Sequence, residues 1–138
     1  MTPPTVIHVS AVVLRRASGE VLTVRKRGTH RFMLPGGKPE PGETPARTAV
    51  REAHEEIGVL LDESRLRELG TFRAPAANEA GHEVVGTVFE HPAVTVTAPA
   101  AEIEELRWLD PATELPDDLA PLLARHVLPA LAGTTPPA

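Results

Sequence analysis

Residues 34 to 59, LPGGKPEPGETPARTAVREAHEEIGV, carry five carboxylates, and four of them (Glu43, Glu52, Glu55 and Glu56) crowd around two arginines at and after the end of a loop of glycine and proline. On a helix that advances about 100° per residue, Glu52, Glu55 and Glu56 stand at i, i+3 and i+4 and share one face. Three carboxylates that close repel one another unless something positive sits among them. Oxygen ligands without cysteine or paired histidine favour a hard cation such as Mg²⁺ or Mn²⁺. The same residues also read as a solvated acidic face, and spacing alone does not choose between the two. The loop adds an independent signal: its glycines let backbone come close to a ligand, and its carbonyls can complete a metal shell. Arg51 is placed to pair with Glu43 across the helix start, bracing loop against helix without taking a metal-facing carboxylate. That pair also reads as a surface salt bridge of little worth.

The elements that position these groups follow from the pattern on either side. Thr44 suits an N-cap, Pro45 the first helical position and Gly58 the stop, so a helix is predicted over TPARTAVREAHEEIG. Ala46, Ala49, Val50, Ala53 and Ile57 form a stripe that should pack on a sheet. VIHVSAVVLRR and EVLTVRKR, separated by ASG, read as a β-hairpin, and the following GTHRFMLPGGKPEPGE reads as an irregular loop. LRELGTFRA, HEVVGTVFEHP, VTVTA and EIEELRWLD read as further strands, with PAANEAG as a loop. DDLAPLLARHVLPALAG is amphipathic, with Leu119, Leu122, Leu123 and Val127 on one side; Pro121 belongs in its first turn and Pro129 ends or kinks it. The expected class is α/β, a mixed β-sheet sandwiched by helices in an α/β/α arrangement. A single domain over 1–138 is expected, with frayed tails at 1–4 and 133–138.

Composition narrows the partners. A net charge of −5 argues against polymeric nucleic acid, whose binding depends on neutralising phosphates with Lys and Arg. Aromatic residues, 3% of the chain, are too few for a surface that stacks single strands. The absence of cysteine removes disulfides and thiolate chemistry, and no run reaches the length of a membrane span, so a cytoplasmic setting without membrane attachment is expected. The six histidines show no zinc spacing; His82, beside the NEAG segment, is the one near a candidate site loop. GGK at Gly36 to Lys38 lacks the upstream glycine of a P-loop, and Pro39 stands where Ser or Thr would be needed.

Gly37, Glu43, Arg51, Glu52, Glu55, Glu56, Gly58 and the aliphatic Val59 reproduce, in register over 23 residues, the signature box of the Nudix hydrolases. Ala53 departs from it, standing where a larger aliphatic is usual, and touches no chemical group. The flanking strands also resemble that family, so the likeness covers most of residues 5 to 131. It implies a MutT-type Nudix fold and hydrolysis of a diphosphate bond in a nucleoside diphosphate linked to another group. Glu52, Glu55 and Glu56, with a carbonyl of Gly36 or Gly37, would bind divalent cations, and Glu56 would contact the attacking water; Glu43, Arg51 and Gly58 would serve the structure of the motif.

A further carboxylate often helps in this family, and Glu102 and Glu79 are the candidates, though each also reads as an ordinary exposed glutamate. Lys38, Arg25, Arg27 and Arg31 are candidates for substrate phosphates. Phe32 either stacks on a base or packs in the interior, and Trp108 belongs to the core. A small nucleotide, such as a normal or oxidised nucleoside triphosphate, is the expected substrate. ADP-ribose or a sugar nucleotide is the alternative, and a non-catalytic nucleotide-binding module is the alternative of another class. A homodimer is a family-level expectation.

Overall fold

The structure, a computed structural model, describes residues 3–137. Strand β1 (Thr5–Leu14) lies at its centre, parallel to β5 (His82–His91) on one edge and antiparallel to the two-residue β3 (Gly36–Gly37) on the other. Strand β4 (Arg67–Pro75) pairs antiparallel with the far edge of β5, giving the order β3-β1-β5-β4. A second, two-stranded sheet joins β2 (Val21–Lys26) to β6 (Ile103–Leu109).

Both faces of β1 are covered, which is why its last four residues, Ala11 to Leu14, are all apolar rather than apolar at every second position. Val12 and Leu14 pack with Ala53 and Ile57 of helix α1 (Pro45–Ile57). Ala11 and Val13 pack on the opposite side with Leu123, Val127 and Leu131 of the C-terminal helical segment. Each such fully buried Val or Leu side chain contributes about 1.5–3 kcal/mol. The result is the expected sandwich of helices about a mixed sheet. Among the described residues no helix is long and apolar enough to cross a membrane.

Helix α1 forms as its sequence signals. Thr44 Oγ1 accepts from Arg47 N at 3.2 Å, Pro45 fills the first turn, and Gly58 takes the left-handed conformation, φ 68°, that ends the helix. The C-terminal segment is less regular. Leu123–Val127 form a widened π turn, in which Leu128 N–H donates to Leu123 O, before α2 (Leu128–Leu131) completes the chain's last turn. Pro129 accounts for it: proline has no N–H and its ring would strike the carbonyl four residues back, so the helix widens there and continues for one more turn.

Four expectations are corrected. The predicted hairpin does not form. Arg16 N donates to Glu20 O to close the turn and Arg15 bridges Val21, but the strands then diverge into different sheets. With both its edges taken by β3 and β5, β1 has none left for β2. VTVTA is not a strand; Val94 and Val96 instead lie against the core beneath α1. The loop after β2 is more ordered than its glycine and proline content implies, because Phe32 bridges Leu119 and Met33 bridges Val24. The tail expected to fray from residue 133 is anchored at Thr134: buried Arg15 donates to its Oγ1 at 2.8 Å and to its carbonyl at 3.1 Å. Residues 1–2 and 138 of the expected tails lie outside the described residues.

Candidate active site

Three elements meet at the site: the loop from Pro35 to Glu43, the carboxylate face of α1, and the adjoining ends of β2 and β6. The loop passes so close to its neighbours that Gly36 admits no side chain and Gly37 admits one only by displacing Glu52. A Cβ at Gly36 would sit 2.3 Å from Ser10 O, and one at Gly37 would sit 2.6 Å from the Glu52 carboxyl carbon. The latter is the space a carboxylate needs beside open backbone.

Arg51 fastens this loop to the helix. Its Nε donates to Glu43 Oε2 at 2.7 Å and its second guanidinium nitrogen to Glu43 Oε1 at 3.0 Å, a two-pronged contact. The same nitrogen reaches Lys38 O at 3.0 Å. Glu43 Oε1 also accepts from Glu40 N and Thr48 Oγ1, so both its oxygens are satisfied. The Arg51 contact, followed by the Glu40 N–H, lowers the Glu43 carboxyl to about 2. Arg51 does more than expected: its remaining nitrogen bonds Glu52 at 3.0 Å and Glu55 at 3.2 Å. The expectation that it leaves those carboxylates alone is therefore corrected. A guanidinium carries five N–H donors, and Glu43 occupies only part of the fork.

Glu56 is in the opposite condition. It is 2% exposed; its Oε1 accepts from Gly36 N at 3.0 Å, while its Oε2 is buried with no partner among the described residues. Burial pushes its carboxyl up to about 8; the Gly36 N–H resists this and the nearby Glu52 adds to it. Burial raises the Glu52 carboxyl as well, against the pull of Arg51. Glu55, half exposed, points outward along Arg51. Among the described residues no three His, Cys, Asp or Glu side chains are gathered into a finished metal cage. The donor set nevertheless suits a hard cation: carboxylate oxygens on one helix face, glycine backbone opposite, and one buried oxygen without a partner.

The glycine loop, Arg51 and Glu52 border a cavity of about 600 Å³. Lys26, Gly36, Gly37, Lys38, Glu52 and Glu102 line its polar end; Ile7, Val9, Val84 and Leu122 line an apolar end. Glu79 and Asn78 reach it from the loop between β4 and β5. The structure thus brings together Gly37, Lys38, Glu52, Glu79 and Glu102 around one space, with Glu56 behind Gly36.

It does not bring the arginines there. Arg25 is held by Glu105 and Thr29 O, and Arg27 by Glu104 outside the cavity. Arg31 donates to the carbonyls of Asp117 and Leu119. Phe32 is 3% exposed and lies beneath the Arg107 guanidinium at 3.7 Å, so its ring is a core element with no face left for a base. Trp108 is partly buried against the core, as expected, with Arg16 over its ring. His82 Nδ1 lies 3.0 Å from Ala80 O and is not among the cavity residues. Lys26 was missed. The signal was in VRKR, where strand alternation sends Arg25 and Arg27 to one face and Lys26 to the other.

The NUDIX domain profile matches residues 4–131. Over 116 residues, 84% of this chain and 74% of the relative, the sequence is 28% identical to a Bacillus subtilis (strain 168) protein named "Putative 8-oxo-dGTP diphosphatase". It is 31% identical over 131 residues to a MutT-like protein of Streptomyces ambofaciens, covering 94% of this chain and 79% of that one. The crystal structure of the MutT protein from Methanosarcina mazei Go1 superposes with a TM-score of 0.74 at 21% identity, over 95% of this chain and 96% of that one.

Proposed function

Because the chain belongs to the Nudix family, hydrolases of diphosphate bonds that work with divalent cations, we propose that it is a Mg²⁺-dependent pyrophosphohydrolase of small nucleotides, with a normal or oxidised nucleoside triphosphate as substrate. The observation that carries this reading is Glu56: a buried carboxyl group with one oxygen on Gly36 N–H and the other unpaired among the described residues, directly behind Gly36, which lines a cavity of about 600 Å³. The name of the Bacillus subtilis relative supports the substrate class.

In this reading Glu52, Glu55 and Glu56, with the Gly37 carbonyl, hold the cation, which Mn²⁺ can replace. When bound, it neutralises the diphosphate and makes water a usable nucleophile near neutral pH. Glu56 would accept a proton at Oε2, the oxygen left free, while the Gly36 N–H holds Oε1. Lys38, exposed on the glycine loop at the cavity's polar end, contacts substrate phosphate. Glu102 is the further carboxylate, preferred to Glu79 because Glu102 lies at the same end as Glu52 and its charge acts on Glu56. The apolar end, built from Ile7, Val9, Val84 and Leu122, receives the nucleoside. We place the reaction in the cytoplasm, and a homodimer is the family expectation for its assembly.

The test is a panel of nucleoside triphosphates, 8-oxo-dGTP, ADP-ribose and sugar nucleotides, each with and without Mg²⁺, scored for phosphate or pyrophosphate release. Mg²⁺-dependent release from a triphosphate is the expected result. Turnover of ADP-ribose or a sugar nucleotide alone would replace the substrate class. Tight binding of one nucleotide with no turnover on any compound would make the domain a binding module.

A further inference from the structure

The cations near the site divide by commitment. Arg51 is fully engaged by the loop and by Glu52 and Glu55, and Arg25, Arg27 and Arg31 are tied to partners outside the cavity. Two ammonium groups remain on the cavity wall, those of Lys38 and Lys26. Lys26 is set apart by how it is delivered. The β2–β6 register shifts between Arg25 and Lys26, so that Arg25 faces Glu105 and Lys26 faces Ile103, and Glu104 is the extra residue. Bulges of this kind re-aim side chains beside functional sites. Here the bulge directs Glu104 outward to Arg27, while Arg27 N–H clamps the Glu102 carbonyl at 2.8 Å. Lys26 Nζ then lies 3.3 Å from Glu102 Oε1, both at the end of the cavity that holds Glu52.

That pair is loosely held: the two side chains are 31% and 62% exposed, and neither makes another side-chain hydrogen bond among the described residues. An ammonium on a flexible stem exchanges one anionic partner for another with little reorganisation. A diphosphate entering the cavity offers Lys26 more negative charge than one carboxylate does.

Resting on the function proposed above, we propose that Lys26 is a phosphate-binding residue whose ion pair with Glu102 opens as the diphosphate arrives, so that substrate binding frees the Glu102 carboxylate for the cation site. Lys26 thereby keeps Glu102 neutralised until there is substrate to act on. The exchange makes Glu102 and phosphate competitors for one ammonium, which gives it a signature that needs neither metal nor turnover.

The experiment titrates the full chain with α,β-methylene ADP in the presence of EDTA. Lys26→Met should weaken binding about tenfold, the loss expected for one charge-assisted contact. Glu102→Gln should tighten it severalfold by releasing Lys26, and the double variant should match Lys26→Met. Lys26→Arg should retain most of the affinity, and Glu104→Gln, which removes the neighbouring pair outside the cavity, should change nothing. Lys26→Gln repeats the test should the methionine variant fold poorly. Unchanged or weakened binding in Glu102→Gln, or an unchanged affinity in both Lys26→Met and Lys26→Gln, overturns the proposal. Wild-type turnover on the nucleotide panel without this binding pattern sinks the exchange alone. The pattern without turnover sinks the hydrolase reading and leaves the exchange standing.

Discussion

Glu43 and Glu56 belong to one run of 23 residues, yet the two ends of α1 treat them in opposite ways. At the N-terminal end Glu43 accepts from Arg51, Glu40 N and Thr48, and its carboxyl sits at about 2. Toward the C-terminal end Glu56 has one N–H and one unpaired buried oxygen, and its carboxyl rises to about 8. A carboxylate whose partners all lie within the chain serves the fold. One that is buried and left short of partners destabilises the ionised fold, and that cost is explained when its remaining partner comes from outside.

Three variants separate these two conditions. The largest effect is expected on turnover: Glu56→Gln should lower kcat by about 10³-fold with Mg²⁺ present, within the range for loss of a positioned proton acceptor. Glu43→Gln should reduce kcat much less and show its effect mainly as a lower unfolding midpoint. Equal losses of kcat in the two variants would erase the distinction. Gly37→Ala is intermediate. Its Cβ would meet the Glu52 carboxylate at 2.6 to 2.9 Å, the mobile end of a side chain, so the fold should persist while the carboxylate is displaced. About a tenfold loss of Mg²⁺-supported kcat/KM, measured beside an unchanged circular dichroism spectrum, is expected.

A separate effect is on stability against pH, measured by denaturant titration in EDTA. Both residues start from an ordinary value of 4.5 when unfolded. Because folding raises Glu56 to about 8, its contribution is fully present below 4.5 and is lost as pH rises through about 8. Glu56→Gln should therefore gain on wild type over that interval. Folding lowers Glu43 to about 2, so its contribution is present above 4.5 and is lost as pH falls through about 2. Glu43→Gln should flatten the acid limb and leave the alkaline limb unchanged. A Glu56→Gln curve parallel to wild type from 4.5 to 8 would contradict the contrast.

What the sequence made legible was mostly local. The limits of α1 rest on Thr44, Pro45 and Gly58, whose capping chemistry acts within a few residues, and the structure keeps all three roles. For β1, adjacency to β2 was the natural reading of the short ASG turn. Choosing β5 as its partner is a contact across some seventy residues of chain that no local pattern specifies. Phe32 and Lys26 fail for the same reason. Whether Phe32 offers a ring to a ligand depends on Leu119 and Arg107, far along the chain, closing over it. Which face of VRKR meets the cavity depends on a bulge against β6. The carboxylates of α1 were legible because helical spacing alone puts them on one face, whereas the added reach of Arg51 to Glu52 and Glu55 came only with side-chain geometry.

In the function proposed above, the carboxylates of α1 near Gly36 and Gly37 await a cation. The most direct test is the unfolding temperature of wild type and of Glu56→Gln, each measured in EDTA and again with saturating Mg²⁺. A cation that binds only the folded state raises the wild-type midpoint. Glu56→Gln should begin with a midpoint above wild type in EDTA at pH 8 and gain little or nothing from Mg²⁺. An equal Mg²⁺-induced rise in both proteins would contradict the account.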